Sequence, residues 1–322
     1  MPANEKKYDV VVVGELNVDL ILSQLPQLPE AGREIFARRM DLTLGSSAGI
    51  LAANLSRLGN RVVFLGKIGQ DAFGQLVLEH LENAGVDTQY IIRDPLIPTG
   101  ASIGLQHRDD RAMVTYPGAM DHLQFAELPL NVLKEARHLH FSAYFFQPRL
   151  RDDVNLLFAT AQKLGLTTSF DMQSDPADRW DFPYANVLQH VDLFFPNELE
   201  LTRVTKIPDV SVAIEHIRSH VAVMAVKRGS EGSITIHGSQ TIHHPGYKSP
   251  GLVDAIGAGD SFDAGFIHQY LRNGSLEECQ NLANMTGAWS TTAPGGTTAF
   301  TGLTNTVQYV RNQFRHASAS PP

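Results

Sequence analysis

Short apolar runs alternate along this chain with stretches in which apolar residues recur every three or four positions. The runs are rich in β-branched residues and bounded by turn residues: YDVVVVG (8–14), RVVFLG (61–66), HLHFSA (138–143), LTTSFDM (166–172), VDLFFP (191–196) and VAVMAVK (221–227). Continuous apolar runs of this length predict strands buried on both faces of a parallel sheet. Between them, 48–59, 71–85 and 151–165 have helical spacing, and each ends in Gly, a usual helix stop. Strand and helix in alternation predict an α/β fold, a mainly parallel sheet flanked by helices. No internal repeat or low-complexity linker interrupts the pattern, so one domain is expected over 1–322.

Two segments, 15–44 and 97–118, break the rhythm. Within the first, 20–44 alternates loosely and carries two prolines where a helix should follow the first strand. Within the second, 99–118 reads as two strands around a polar turn from Arg108 to Arg111. Extra β-structure at the end of a parallel sheet is well placed to form a small β-sheet lid over a site. The plainer alternative is a pair of fixed surface excursions. Exposed strands of this kind could also pair between two chains, giving a homodimer through the lid.

Composition narrows the function. Hydrophobic residues make up 43% of the 322, enough for a large core, and the formal net charge of −8 argues against the basic footprint of a nucleic-acid binder. An anionic substrate stays allowed, because local potential matters more than the sum. Cys279 is the only cysteine, which excludes an intrachain disulfide or a cysteine zinc site and fits a cytoplasmic protein. The N-terminus has no apolar signal core, and no run of ~18 apolar residues predicts a membrane span. Residues 316–322 read as a disordered tail.

Candidate chemistry concentrates in four places. In DAIGAGDSFDAGF (254–266), Gly257, Ala258 and Gly259 can turn successive backbone N–H groups toward an anion ahead of a helix, yet Asp260 follows at once. GSSAG (45–49) matches a nucleophile elbow with Ser47 at its centre, which keeps a serine hydrolase open. In PNELE (196–200), Asn197 and Glu200 share a helix face; they read either as a capping pair or as holders of Mg²⁺-bound waters. Asn17 and Asp19 lie just past the first strand, where open α/β sheets bind ligands, and could hydrogen-bond a polyol or simply build a turn. No Walker A loop, dinucleotide fingerprint or HExxH motif occurs. His138 and His140 share a strand face, and packing is the better reading for the scattered histidines.

Together these residues resemble the ribokinase-like (PfkB) family of sugar and nucleoside kinases over nearly the whole chain, to about Thr298. DAIGAGDSFDAGF is similar to the family's C-terminal signature and GSSAGILAANLSRLG (45–59) to its N-terminal glycine signature. PNELE matches the Asn-x-x-Glu element, and VKRGSEGS (226–233) the turn along the nucleotide. The resemblance implies a ribokinase-like three-layer sandwich and an ATP-dependent carbohydrate kinase, with a nucleoside kinase as the alternative. By it, Asp260 is the catalytic base and Gly257, Ala258 and Gly259 form the anion hole. Asn17, Asp19, Gly45 and Ser46 bind the sugar. Lys227, Gly229, Gly232, Asn284 and Gly287 border the nucleotide, Asn197 and Glu200 organise Mg²⁺ waters, and Arg179 faces the phosphates. The sequence departs from the family at Ser46, Ile50, Ala255 and Ile256, where a glycine, a sugar-binding Asn and two threonines are common. The first pair leaves the sugar open. The second touches a loop that contributes to a monovalent-cation site in many members, with Asp254 behind it and K⁺ as the candidate ion.

Overall fold

A computed structural model describes residues 6–107 and 110–315. Its strands are β1 (Tyr8–Val13), β2 (Asn17–Ser23), β3 (Arg39–Leu44), β4 (Val62–Leu65), β5 (Lys67–Gly69), β6 (Ile92–Asp94), β7 (Gly100–His107), β8 (Asp110–Tyr116), β9 (Ala136–Ser142), β10 (Thr167–Asp171), β11 (Leu193–Phe194), β12 (Val223–Lys227), β13 (Ser233–His237) and β14 (Gln240–His244). Its α-helices are α1 (Ser47–Arg57), α2 (Ala72–Asn83), α3 (Pro148–Arg151), α4 (Val154–Lys163), α5 (Tyr184–Leu188), α6 (Glu198–Thr205), α7 (Val210–Ile217), α8 (Ala258–Tyr270), α9 (Leu276–Ser290) and α10 (Thr306–Phe314). The expected tail, 316–322, and the centre of the predicted polar turn, 108–109, lie outside the described residues.

The large sheet has the order β14-β13-β12-β11-β10-β9-β1-β4. Neighbours from β4 to β12 are parallel, and β13 and β14 add antiparallel strands at one edge. Its strands read as unbroken apolar runs because both faces are covered. Val11 and Val13 enter one core with Phe158 of α4, Leu201 of α6 and Ile217 of α7. Val10 and Val12 enter the other with Leu51 of α1, Val77 of α2 and Phe266 of α8. The result is the expected three-layer α/β sandwich.

Segments 15–44 and 97–118 supply a separate four-stranded sheet, β3-β2-β7-β8. Register puts Asp19 opposite Thr43 and Ser102, and Ser102 opposite Thr115, so these polar side chains share one face. The residues between them give the other face: Leu42, Ile103 and Val114, all exposed. The chain passes from β1 to β4 on one side and reaches β9 later on the other. That reversal opens a crevice beyond the carboxyl ends of β1 and β9, where ligands bind in open α/β sheets. Among the described residues no helix is long and apolar enough to cross a membrane.

Candidate active site

Asp260 lies in the first turn of α8, at the crevice. Gly257 sits ahead of it in the left-handed region (φ 72°), and no side chain caps the helix. A Cβ on Gly257 would stand 2.7 Å from Cα of Gly296 and 3.0 Å from Ile50. Only glycine therefore allows both the turn and the close approach of the two loops. The uncapped amino end leaves backbone N–H groups and the positive helix dipole facing the crevice. Ile50 packs beneath this loop and is buried.

The Asp260 carboxylate is itself buried. Oδ1 accepts from the Ser47 hydroxyl at the start of α1 and from Gln173 Nε2 at 3.1 Å. Burial, and next the negative charge of Asp171, push its pKa up to about 7. Ser47 Oγ is also 3.1 Å from Ser142 Oγ at the end of β9. These bonds correct the nucleophile-elbow reading. Among the described residues Ser47 has a carboxylate partner and no histidine base, and the strand before it belongs to the small mixed sheet and not to the large parallel one.

Behind Asp260 lies a chain of ionisable groups. Gln173, held at φ 59°, bridges to Asp171 Oδ2 at 2.7 Å. Lys227, at the end of β12, reaches Asp171 Oδ2 at 2.8 Å and Asp263 Oδ2 at 3.3 Å. Burial works against the Lys227 charge, but Asp171 and Asp263 more than reverse that and hold it protonated. Burial also works against the Asp171 charge, and Lys227 keeps that group ionised. Asp263, by contrast, is driven well above the ordinary carboxyl range by burial. Lys227 is thus paired with the ionised Asp171, and the Asp263 carboxyl lies beside it. Glu15, just past β1, accepts from the Ala48 N–H at 3.2 Å, and burial pushes it up to about 8. Sequence reasoning missed Glu15, Ser142, Asp171, Gln173 and Asp263. Asp171 could have been found as a strand-end acid and Asp263 by its spacing of three from Asp260. Gln173 carries no such signal.

Asn17 and Asp19 meet this cluster from the small sheet, both buried. Asn17 Nδ2 donates to Asp19 Oδ1 at 3.0 Å and to Ser102 Oγ at 3.1 Å, and Ser102 Oγ is 2.9 Å from Thr115 Oγ1. A Cβ on Gly45 would lie 2.3 Å from Asp19 Oδ1 and 2.6 Å from Asn17 Nδ2. The glycine thus keeps room for this polar pair. Ser46 turns inward, donating to the Glu15 carbonyl at 2.5 Å and capping α1 through the Gly49 N–H at 2.8 Å.

The remaining predicted residues have local duties. Asn197 Oδ1 accepts from the Glu200 N–H at 2.8 Å, and Glu200 Oε2 from the Asn197 N–H at 2.9 Å, a complete capping box. Glu200 is buried, which raises its pKa, and Asp171 adds to the rise. Asp254 accepts from Ile256 and Gly295 N–H groups, both at 3.0 Å, tying two loops together. Gly229 and Gly232 form the β12–β13 turn with positive φ, and a Cβ on Gly232 would lie 2.0 Å from the His244 carbonyl oxygen. Asn284 donates to Ser233 Oγ at 2.7 Å, and Gly287 packs α9 against Ala258. Arg179 is exposed. His138 and His140 are buried against Ser169, as packing histidines.

The pfkB family carbohydrate kinase profile matches residues 7–301. The chain is 30% identical over 293 residues to an ATP-dependent ribose-1-phosphate kinase of Halopiger xanaduensis, covering 90% of this chain and 94% of that one. It is 30% identical over 281 residues to a nucleoside kinase of Methanothermobacter thermautotrophicus, covering 86% and 87%. Among solved structures, Arabidopsis thaliana ribokinase complexed with ribose and ATP superposes with a TM-score of 0.79 at 24% identity, over 94% of this chain and 98% of that one. Adenosine kinase from Sinorhizobium meliloti gives 0.83 at 24% identity, over 95% and 99%, and both share the fold. A profile that spans almost the entire chain, on the fold those structures share, makes this protein a member of the pfkB family of carbohydrate kinases, phosphotransferases that act on an alcohol group.

Proposed function

We propose that the chain transfers the γ-phosphoryl group of ATP to a hydroxymethyl oxygen of a small sugar, with Asp260 as the base. The observation that carries this is a buried carboxyl, tuned to about 7, at the uncapped amino end of α8 and facing the same crevice as Asn17 and Asp19. An alcohol must lose a proton as it attacks, and a base tuned near neutrality suits that task. Ser47 and Gln173 both donate to Oδ1, leaving Oδ2 as the atom to take the proton. Backbone N–H groups of Gly257, Ala258 and Gly259 hold the charge of the transferred group. Asn17 and Asp19, with Gly45 and Ser46 beside them, orient the sugar. The 229–232 turn, Asn284 and Gly287 border the nucleotide, and Arg179 stands near its phosphates.

Mg²⁺ suits the donors present. Asp171, Glu200, Asp260 and Asp263 are buried around Lys227, and an added cation would draw the raised carboxyls among them toward their charged forms. Among the described residues no group of three or more His, Cys, Asp or Glu could hold a metal directly. Water-mediated contact through Asn197 and Glu200, together with phosphate oxygens, fits that set. When bound, the ion would neutralise phosphate charge. K⁺ would bind at the loop tied by Asp254. The relatives agree in kind: one is an ATP-dependent ribose-1-phosphate kinase, and a putative ribokinase II from E. coli was solved with ATP and Mg²⁺.

The small sheet is the proposed lid. Its outward face exposes Met40 (66%), Val114 (65%) and Tyr116 (53%), an apolar surface suited to a second copy of the chain. An ADP-release screen over pentoses, hexoses, keto-acids and nucleosides tests the function. Mg²⁺-dependent release with a sugar is expected. Release with nucleosides alone would make the chain a nucleoside kinase, and release with no acceptor would overturn the reading.

A further inference from the structure

The helices that build the crevice end in a second cavity at their far ends. α1 runs from Ser47, beside Asp260, to Arg57, and α8 runs from the glycine loop toward His268 and Arg272. The first turns of α10, with Thr306 and Arg311, complete a cavity of about 760 Å³. Arg57 and Arg311 are half-buried and Arg272 sits at the exposed rim.

Among the described residues the hydrogen-bond partners of these three arginines are all neutral. Arg57 Nη1 donates to the Thr297 carbonyl at 2.6 Å. Arg272 Nη1 donates to Asn60 Oδ1 at 3.0 Å and to the His268 carbonyl at 3.1 Å. Arg311 Nη2 donates to Gln269 Oε1 at 3.0 Å. Glu278 also lines the cavity, but its Oε2 accepts from the Ser275 N–H at 2.8 Å as part of a capping box. Among the described residues these three guanidinium groups line one cavity with no carboxylate hydrogen-bonded to them, and Asp9, which acts on Arg272 through space, is itself paired with Arg61 and Arg137, in a chain of net charge −8. Burial lowers the pKa of Arg57, as expected for a charge held without a counter-ion. Guanidinium forks match phosphate oxygens in pairs, and a cavity of this size accommodates a small metabolite.

We propose that this cavity is a regulatory site for a small phosphorylated metabolite, whose phosphate is held by Arg57, Arg272 and Arg311. Arg57 links it to the crevice. Its partner Thr297 follows Gly296, which abuts Gly257 and whose carbonyl accepts from Asn54 Nδ2 at 3.0 Å. A phosphate that draws Arg57 away from Thr297 loosens the strand of chain that backs the glycine loop. The ligand then acts by favouring the state in which Arg57 is released.

Titration calorimetry with pyrophosphate on the full chain tests the site without turnover, so its failure and that of the kinase reading are separate results. Wild type should show a binding event that weakens at least tenfold in the Arg272→Ala/Arg311→Ala variant and weakens between 50 and 200 mM NaCl, while any binding at the glycine loop persists. Wild-type binding that is absent, or that the double substitution leaves unchanged, overturns the proposal. Should the double variant fail to fold, Arg311→Glu decides in the same way, because among the described residues Arg311 bonds only to Gln269. Hydrogen exchange at 295–297 should quicken with pyrophosphate in wild type but not in the variant; equal exchange in both would remove the link to the crevice.

Discussion

Replacing Asp260 by Asn should make the protein more stable and far less active. The carboxyl pKa rises from 3.8 to about 7 in the fold, chiefly through burial. A raised folded pKa means stability that is fully present below the unfolded pKa and lost as pH rises toward 7. The loss corresponds to about 2 kcal/mol at pH 5 and about 4 kcal/mol at pH 8, taking ~1.4 kcal/mol per unit as a ceiling. Asn keeps an acceptor for Ser47 and Gln173 but carries no charge. For a chain of 322 residues, unfolding entropy converts the gain into roughly 3–6 °C of Tm at pH 8 and less at pH 5. Over the same substitution kcat should fall by ~10²–10⁴, the usual worth of a positioned proton acceptor. ATP affinity should hold or improve, since a like charge leaves the anion hole. Scanning calorimetry at the two pH values and steady-state kinetics read all three. A variant that melts at or below wild type at pH 8 refutes the raised carboxyl. Unchanged kcat refutes the base and leaves Asp260 as a helix cap, a role Asn fills equally well.

Asp19→Ala should raise sugar KM by roughly 10–150-fold, from loss of a charged hydrogen bond worth ~1.5–3 kcal/mol, with ATP KM nearly unchanged; an unchanged sugar KM would assign Asp19 to sheet structure. Segments 20–44 and 99–118 should gain hydrogen-exchange protection when sugar binds, whereas equal protection in both states would make the small sheet a fixed decoration. His138, His140 and His268 are held near 3 by burial, so the unfolded chain binds their protons first. Their stabilising contribution is present above about pH 6.5 and is lost as pH falls toward 3, at up to ~1.4 kcal/mol per unit each. The raised Glu15 and Asp260 carboxyls act in the opposite sense up to pH 7–8. Denaturant titrations should therefore give a broad maximum between about pH 5.5 and 7, where three histidines outweigh two carboxyls on the acid side, and Glu15→Gln should flatten the alkaline decline; a decline unchanged in that variant would count against a neutral Glu15.

Local pattern alone determined much of this protein. Buried strands and amphipathic helices write their periodicity into neighbouring residues, so 8–14 and 221–227 announced β1 and β12, and 48–59 announced α1. The glycine loop was legible for the same reason: Gly257 answers to a backbone angle, a property of a few consecutive residues. The small sheet was legible as two segments that broke the helical rhythm. What sequence could not decide is which distant groups share the crevice. Ser47 looked like a nucleophile until the fold set it against Asp260, 213 residues away. Lys227 gave no sign in sequence that strand order would place Asp171 and Asp263 around its ammonium group. Glu15 carries no sign in sequence that it will be buried and neutral. These outcomes depend on strand order and on how deeply each charge is taken out of water. Charge–charge and desolvation energies follow distance in space, which tertiary structure alone sets.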